Sequence, residues 1–554
     1  MNKKIIATIA LMGCAISAKS QSIEWMHDAG STPFSANEHG DAVDADADGN
    51  AYVLGHLTID SQFSGLPVPA HQDGCLAKYD ATGVVQWVKT FGGPGFVDML
   101  ESTVKVSTAD NAVYVCGRFR TQFANPNVNF DTDTFTYVGN SLHAFLAKYD
   151  LNGNFQWMRH GGGTPYGAGF NDLDIADDGS IVCVGVSDGL NVFDGDTLQS
   201  AGSMGIIARY LPNGTLVDLL PLADGLSAEA VEVAPVSGHV FVGGAFIGTV
   251  NVNGVTATSP LNTYALFVMK MDDALQAQWI STGGGDNSTY GSWLQGLAID
   301  AAENCYITGE ASGNTISFGP HSFTGHTFYD DEVITAKVDA AGAWQWLRRG
   351  GSEQNDEALD IIADAQGNTV ITGYLGGNIP YADFDGIQVD IVSQSAHCFI
   401  ARYDPYGQII YAERMGGGSD DAGFGLALAN DSTFYLTGTT WGSTPWLNWN
   451  FTSCCADPNL FITKIHDVFS GLVTAVDVVD HDVSGLSLHP NPVSDLLIAS
   501  DPRALKDIRI YNTLGEQKRL TLQSGAIDVS TWANGVYFAV IPGFGPVSRI
   551  VIQH

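Results

Sequence analysis

Along most of this chain apolar and polar residues alternate in short runs bounded by Gly, Asn and Asp, which is the period-two pattern of half-buried strands. One run ending in glycine recurs: Tyr52-Val53-Leu54-Gly55, Tyr114-Val115-Cys116-Gly117, Val182-Cys183-Val184-Gly185, Phe241-Val242-Gly243, Tyr306-Ile307-Thr308-Gly309, Val370-Ile371-Thr372-Gly373 and Tyr435-Leu436-Thr437-Gly438. The seven copies lie 58 to 68 residues apart and occupy the chain from about 22 to 467. Three further runs surround each copy. Strand A, as in Leu297-Ala298-Ile299-Asp300, leads through a tight turn such as Asp48-Gly49-Asn50 or Gln366-Gly367-Asn368 into the glycine-ended strand B. Strand C is exemplified by Phe145-Leu146-Ala147-Lys148-Tyr149-Asp150. An Asn152-Gly153 turn then gives strand D, Phe155-Gln156-Trp157-Met158, and a glycine run, Gly161-Gly162-Gly163, leads out of it.

A four-stranded unit of this length cannot bury both its faces alone, and such units stack radially into β-propellers. The two ends agree with that arrangement. An orphan D strand, Ser22-Ile23-Glu24-Trp25, precedes the first A strand, and the seventh copy stops after its C strand, Leu460-Phe461-Ile462-Thr463-Lys464. The orphan supplies the missing strand and would remove an open sheet edge. The predicted fold is therefore all-β: a seven-bladed propeller closed by its N-terminal strand, plus a small C-terminal β-sandwich. The strand with a basic residue before Tyr-Asp and the strand with Gln-Trp resemble the SBBP-type propeller repeat of bacterial surface and secreted proteins. One copy departs from it, with Leu216-Val217-Asp218 where Gln-Trp is expected. That family carries no single function.

The last 70 or so residues have a different texture. Leu488-His489-Pro490-Asn491-Pro492, Asp507 to Asn512 with Gly515, Ile527-Asp528-Val529-Ser530 and Ala533-Asn534-Gly535-Val536-Tyr537-Phe538 follow in order. That order resembles the C-terminal sorting domain of type IX secretion substrates in Gram-negative bacteria. The resemblance implies an address read by the type IX machinery, then removal with release, or attachment at the cell surface. At the other end, Lys3 and Lys4, the apolar run Ile5 to Ile16 and Ala18-Lys19-Ser20 read as a signal peptide. Leu11-Met12-Gly13-Cys14 offers a rival lipoprotein box. The expected domains are a signal peptide at 1–20, the propeller at 22–467, a linker at 468–485 and the sorting domain at 486–554. The expected location is secreted or on the outer-membrane surface, reached through the periplasm.

Charge narrows the partners. With 24 Lys plus Arg against 60 Asp plus Glu, the formal charge is −36. Nucleic acid and anionic membrane are excluded, because both require an excess of cations. At 45% hydrophobic residues the chain can form a core. Of the eight Cys, Cys116, Cys183 and Cys305 fall on B strands and Cys75 and Cys398 on C strands, so buried free thiols are expected rather than a disulfide framework. Cys454-Cys455, in a loop beside a Trp-rich stretch, is the exception.

Candidate chemistry is sparse. Strand C carries a cation in every copy, Lys78, Lys148, Arg209, Lys270, Lys337, Arg402 and Lys464. Repetition at one place in every copy favours a structural role over an anion-binding ring. Trp25, Trp87, Trp157, Trp279 and Trp346 on strand D read as core for the same reason. Asp44, Asp46 and Asp48 alternate as calcium ligands do, so calcium is the one cofactor considered, but Gly55 stands where a bidentate Glu should complete the loop. Gly185-Val186-Ser187-Asp188-Gly189 matches the nucleophile elbow without the helix that motif needs. The 14 His include no His-Glu-x-x-His, and there is no Cys-x-x-Cys.

The loops from strand D to the next strand A carry acids in every copy: Glu38 and Asp41; Asp98 and Glu101; Asp172; Asp224 and Glu229; Asp286; Glu353, Asp356 and Glu357; Asp420 and Asp421. On one face of a propeller they form a carboxylate ring for a cation or basic partner, or else a solvated rim that keeps the protein soluble. The functional expectation is an exported, monomeric, non-catalytic binding or surface-interaction module with an unknown extracellular ligand. The alternatives are an extracellular carbohydrate-active enzyme or lyase, and a structural spacer.

Overall fold

The computed structural model describes residues 21–467 except parts of the loops (31–37, 58–60, 69–73, 93–102, 121–126, 138–140, 451–457 and shorter gaps), together with strands between 488 and 552. The expected signal peptide, the linker and Cys454-Cys455 lie outside the described residues. The described chain is all-β and falls into two compact units, one ending at Gly471 and one starting at Leu472.

In the first unit the repeats become antiparallel sheets. The first repeat pairs His39–Ala45, Ala51–His56, Gly74–Tyr79 and Val85–Gly92 in sequence order, and the others follow the same A-B-C-D plan. The A strands are His39–Ala45, Thr103–Ser107, the second half of Phe155–Ile175, Leu226–Val233, Ser292–Ile299, Glu357–Ala363 and Ala422–Asn430. They neighbour one another in chain order, and the last lies beside the first. Strand Ser22–Gly30 pairs with Pro458–His466 and becomes the fourth strand of the seventh repeat's sheet, with Met26 opposite Thr463 and Ala29 opposite Leu460. Buried aliphatic and aromatic residues fill the space between successive sheets, as with Val113, Phe130 and Phe145 between the first two.

The glycine that ends strand B has a physical cause. A Cβ on Gly373 would stand 1.9 Å from the carbonyl oxygen of Glu357, and on Gly438 or Gly185 it would stand 2.0 Å from the oxygens of Ala422 and Gly169; in the fourth repeat Gly244, not the expected Gly243, holds this place, 2.0 Å from the Ser227 oxygen, because it is Gly244 that pairs with Ala228 ahead of the bulge. Only glycine fits where the A strand backbone presses that closely. The glycine runs that lead out of strand D are themselves strand: Gly161–Gly163 and Gly283–Gly285 pair with the B-to-C hairpins Asn191–Phe193 and Ile316–Phe318. Phe193 and Phe318 lie flat over Gly161 and Gly283, leaving no room for a side chain.

The repeated cations and tryptophans tie each sheet to the next. Trp25, Trp87, Trp157, Trp279 and Trp346 donate their indole N–H to the carbonyls of Ala81, Leu151, Pro212, Ala340 and Pro405 in the following C-to-D turn, at 3.1 to 3.3 Å. Lys464, Lys148 and Lys337 reach Ala81, Pro212 and Pro405 from their own strands at 3.0 to 3.2 Å. Carboxylates balance the charge: Lys148 on Asp110 at 2.6 Å, Lys270 on Glu303 at 2.7 Å and Arg402 on Asp467 at 3.0 Å. Trp25 in strand Ser22–Gly30 thus grips the first repeat.

The second unit holds two small antiparallel sheets, one from Leu488–His489, Leu496–Ala499, Leu522–Gln523 and Ala526–Asp528, the other from Arg509–Asn512, Gly535–Val540 and Ser548–Ile552. Leu497, Ile510, Ile527 and Tyr537 are buried in it.

Candidate functional site

A channel of about 740 Å³ runs among the seven A strands and is lined by residues of all of them. Six A strands carry a β-bulge at the same register, opposite the glycine of strand B, so that Asp41, Asn171, Glu229, Gln295, Leu359 and Phe424 are the extra residues. In the second repeat that register falls outside the described residues. A bulge re-aims its side chain, and all six line the channel at the end where the A strands begin. His39 and Trp441 join them there. His39 Nδ1 lies 2.7 Å from Asp41 Oδ1. Burial works against its charged form, but Asp41 outweighs burial and raises its pKa. Glu229 accepts from Asn171 Nδ2 at 2.7 Å and from Ser227.

Deeper, carboxylates cross the seams between neighbouring A strands. Asp44 accepts the Val106 N–H at 2.6 Å, Asp172 and Asp174 those of Val231 and Val233 at 2.7 Å, and Asp360 that of Leu426 at 2.6 Å. A strands of different sheets share no ladder, so these inward N–H groups need another acceptor, and aspartate supplies it. Lys105 stands among them, 3.2 Å from Glu232 and 3.7 Å from Asp174. One ammonium cannot balance Asp44, Asp172, Asp174, Glu232 and Asp360. Burial therefore pushes Asp172 up to about 6 and Asp360 to about 7, and it raises Asp44 and Glu232 as well. Burial would lower Lys105, but the surrounding carboxylates hold it well above its ordinary value.

The carboxylates of the D-to-A loops separate into distinct environments. Asp41, Glu229 and Asp172 line the channel. Glu38, Asp356 and Asp421 are buried loop caps: Glu38 accepts from Ser61 at 2.6 Å, Asp356 from Ser352 Oγ and the Gly376 N–H at 2.7 Å, and Asp421 from Thr440 at 2.8 Å and the Gly417 N–H at 2.9 Å. Asp224 and Glu353 are exposed, Asp420 is exposed and caps Ala396 N–H at 2.8 Å, and Asp286 accepts from Thr315 N–H at 3.1 Å. Glu357 bonds Tyr374 and Glu310, and burial beside Glu357 raises the Glu310 carboxyl. Asp98 and Glu101 lie outside the described residues.

Asp44 and Asp46 part company: Asp44 lines the channel, whereas Asp46 accepts from Asp48 N–H, Asn50 N–H and Tyr52 OH at 2.9 to 3.1 Å within its turn, and Asp48 is exposed. Asp300 holds its own turn in the same way, accepting from Ala302, Asn304 and Tyr306. Among the described residues, no group of three or more His, Cys, Asp or Glu is placed to hold a metal ion. Ser187 is a buried residue within strand Ile181–Phe193, bonded by Asn191 at 2.9 Å. Cys75, Cys116, Cys183, Cys305 and Cys398 are buried free thiols. Sequence reasoning missed Lys105, Asn171, Gln295, Phe424 and Asp360. Their signal was position relative to the strand B glycine, which becomes readable only once the bulge is known.

Comparison with known proteins adds the following. The chain is similar to a crystal structure of a protein of unknown function from Dyadobacter fermentans DSM 18053, with TM-score 0.33 and 9% identity over 68% of this chain and 100% of that one. It is also similar to a polysaccharide lyase of a new family, the PL25 ulvan lyase, with TM-score 0.41 and 11% identity over 72% of this chain and 91% of that one. At those values neither likeness bears on function. No curated protein matches. The family model described as the secretion system C-terminal sorting domain matches residues 487–553. The chain therefore ends in a domain addressed to the type IX secretion machinery, and it is exported by that route to the cell surface or extracellular space.

Proposed function

We propose that residues 22–467 form a seven-bladed β-propeller closed by strand Ser22–Gly30, and that this propeller is a non-catalytic binding module taking its ligand at the channel mouth. The return of the A strands to their starting point and the pairing of the N-terminal strand with Pro458–His466 support the fold reading. One observation carries the functional reading. Framework positions repeat in kind from copy to copy, as with the strand B glycine and the strand C cation, whereas the bulge position holds Asp, Asn, Glu, Gln, Leu and Phe in turn. A position that the fold dictates would hold one residue type; this one is set by what it faces. Its carboxylates, with the deeper acids behind them, create a negative mouth suited to a cationic group. The rival reading, a carbohydrate-active enzyme or lyase, calls for His, Tyr, Arg and Glu in convergence. Among the described residues lining the channel there is one His, and neither Tyr nor Arg.

Calorimetric titration of the secreted protein with oligolysine tests the reading. Binding that weakens with salt, and weakens again in the double variant Asp41→Asn/Glu229→Gln, is expected. No heat with the parent protein, or equal binding by the variant, overturns it.

A further inference from the structure

The bulge residues at the channel mouth differ in kind, and their order is informative. Along neighbouring A strands they run Asn171, Glu229, Gln295, Leu359 and Phe424, and then Asp41 on the first A strand, which lies beside the seventh. Two apolar residues on adjacent strands therefore stand between one acid, with its flanking amides, and another acid. Trp441, at the end of strand Thr433–Trp441, lines the channel with them, and all three are half-buried. Asp, Asn, Glu and Gln hold the same register in four other repeats, so the fold does not require an apolar side chain there. An apolar wall kept where a polar one would fit is surface retained for contact.

The wall and the acid beside it are joined by direct packing. The His39 ring meets Phe424 edge-on, with centroids 5.9 Å apart and planes at 60°, and it stacks on His56 at 5.4 Å and 15°. Its Nδ1 lies 2.7 Å from Asp41 Oδ1. Aromatic ring, imidazole and carboxylate thus form one row. The channel behind them, about 740 Å³, is of the size that takes a small ligand or a few side chains.

We infer that the mouth takes a peptide segment in which bulky apolar residues alternate with basic ones; the inference rests on the reading of this mouth as a site for a cationic ligand and names that ligand's class. Glu229 and Asp41 attract the basic groups from either side of the wall, and the apolar side chain between them packs on Leu359, Phe424 and Trp441. The methylene stems of lysine or arginine extend the same contact, because they lie along apolar surface while the charged head reaches an acid. A chain of cations alone satisfies the carboxylates and leaves the wall in water, so it forgoes part of the available binding energy.

Calorimetry of the full secreted chain with two capped peptides of equal charge, Lys-Leu-Lys-Leu-Lys and Lys-Gly-Lys-Gly-Lys, tests the inference, with Glu-Leu-Glu-Leu-Glu as the anionic probe. The leucine peptide is expected to bind about 10-fold more tightly than the glycine peptide. That gap should close in Leu359→Gln/Phe424→Gln and narrow in Leu359→Gln alone. Glutamine already stands at this bulge in the fifth repeat, so the fold accommodates it, and melting temperature checks each variant. Asp41→Asn/Glu229→Gln should weaken both basic peptides and keep the gap. Equal binding of the two basic peptides by the parent, or an undiminished gap in Leu359→Gln/Phe424→Gln, overturns the inference. If both peptides still weaken in Asp41→Asn/Glu229→Gln in that event, the cationic mouth stands without the apolar wall. If neither basic peptide binds, or the glutamate peptide binds as tightly as its lysine counterpart, both readings fall.

Discussion

Replacing Asp360 by asparagine removes one channel carboxyl while keeping a polar group of the same shape at the seam between the sixth and seventh A strands. The wild-type carboxyl accepts the Leu426 N–H at 2.6 Å and the Ile361 N–H at 2.7 Å, yet burial carries it from 3.8 to about 7. In an unfolded chain it titrates near the ordinary value. Between about pH 4 and pH 7 the folded protein thus holds a proton that the unfolded chain has lost, so the group's contribution to stability falls as pH rises through that window. The full penalty, about 4 kcal/mol as an upper bound, is reached above pH 7, and roughly a third of it is already present at pH 5. Asparagine does not titrate, but it has one acceptor where the carboxyl had two and costs about 1–3 kcal/mol at every pH for the unmet N–H. The stability of Asp360→Asn relative to the parent should accordingly rise by roughly 3 kcal/mol between pH 5 and pH 8. Lys105 and Asp172 also face this space, so each is kept unchanged in the comparison. Melting of the full chain by circular dichroism at pH 5, 6, 7 and 8 reads the effect as a gap of a few degrees that moves in the variant's favour. Parallel melting curves, or a variant that falls further behind at pH 8, would refute the reasoning and mark the carboxylate as a latch that works in its charged form.

Deletion of residues 22–30 should lower the melting temperature and promote aggregation, because Pro458–His466 then becomes an open edge and Trp25 no longer holds Ala81; unchanged cooperative melting would count against closure. Gly373→Ala should destabilise by about 3 kcal/mol or more, since its Cβ would sit 1.9 Å from the Glu357 oxygen; denaturation within about 0.5 kcal/mol of wild type would contradict the close approach. Lys148→Met leaves Asp110 without its 2.6 Å partner; burial would raise this carboxyl, but the Lys148 and Tyr114 hydrogen bonds hold it below its ordinary value, so the loss in melting temperature should be full at pH 7 and shrink as pH falls below about 4, and an equal loss at every pH would place the role in the lysine stem alone. Mass spectrometry of the secreted form should find no peptide from residues 1–20 and little beyond about 485; an intact C-terminus on a cytoplasmic protein would oppose the export reading.

Sequence by itself determined the repeat. Strand B glycines, strand C cations and strand D tryptophans are framework positions, so each copy repeats them in kind, and period-two alternation with a fixed glycine is enough to count the copies and to notice that the first strand completes the last. The sorting domain was readable for a similar reason, as short motifs in a fixed order. The role of the glycine runs after strand D was not legible, because a glycine that turns the chain and a glycine that makes room for Phe193 look alike until the hairpin lies over it. What only the tertiary structure decided is which acids meet. Asp41, Asp356 and Asp420 all precede or begin A strands, yet one enters the channel, one caps a buried loop and one faces solvent. A bulge shifts side-chain direction by one residue without any mark in the alternation, and the partners that define these carboxylates, such as Leu426 for Asp360 at 66 positions' remove, belong to other repeats. Packing of neighbouring A strands from separate repeats brings Asp44, Lys105, Asp174 and Glu232 within reach of one another, a proximity set by strands distant in the chain and not by any local run of residues.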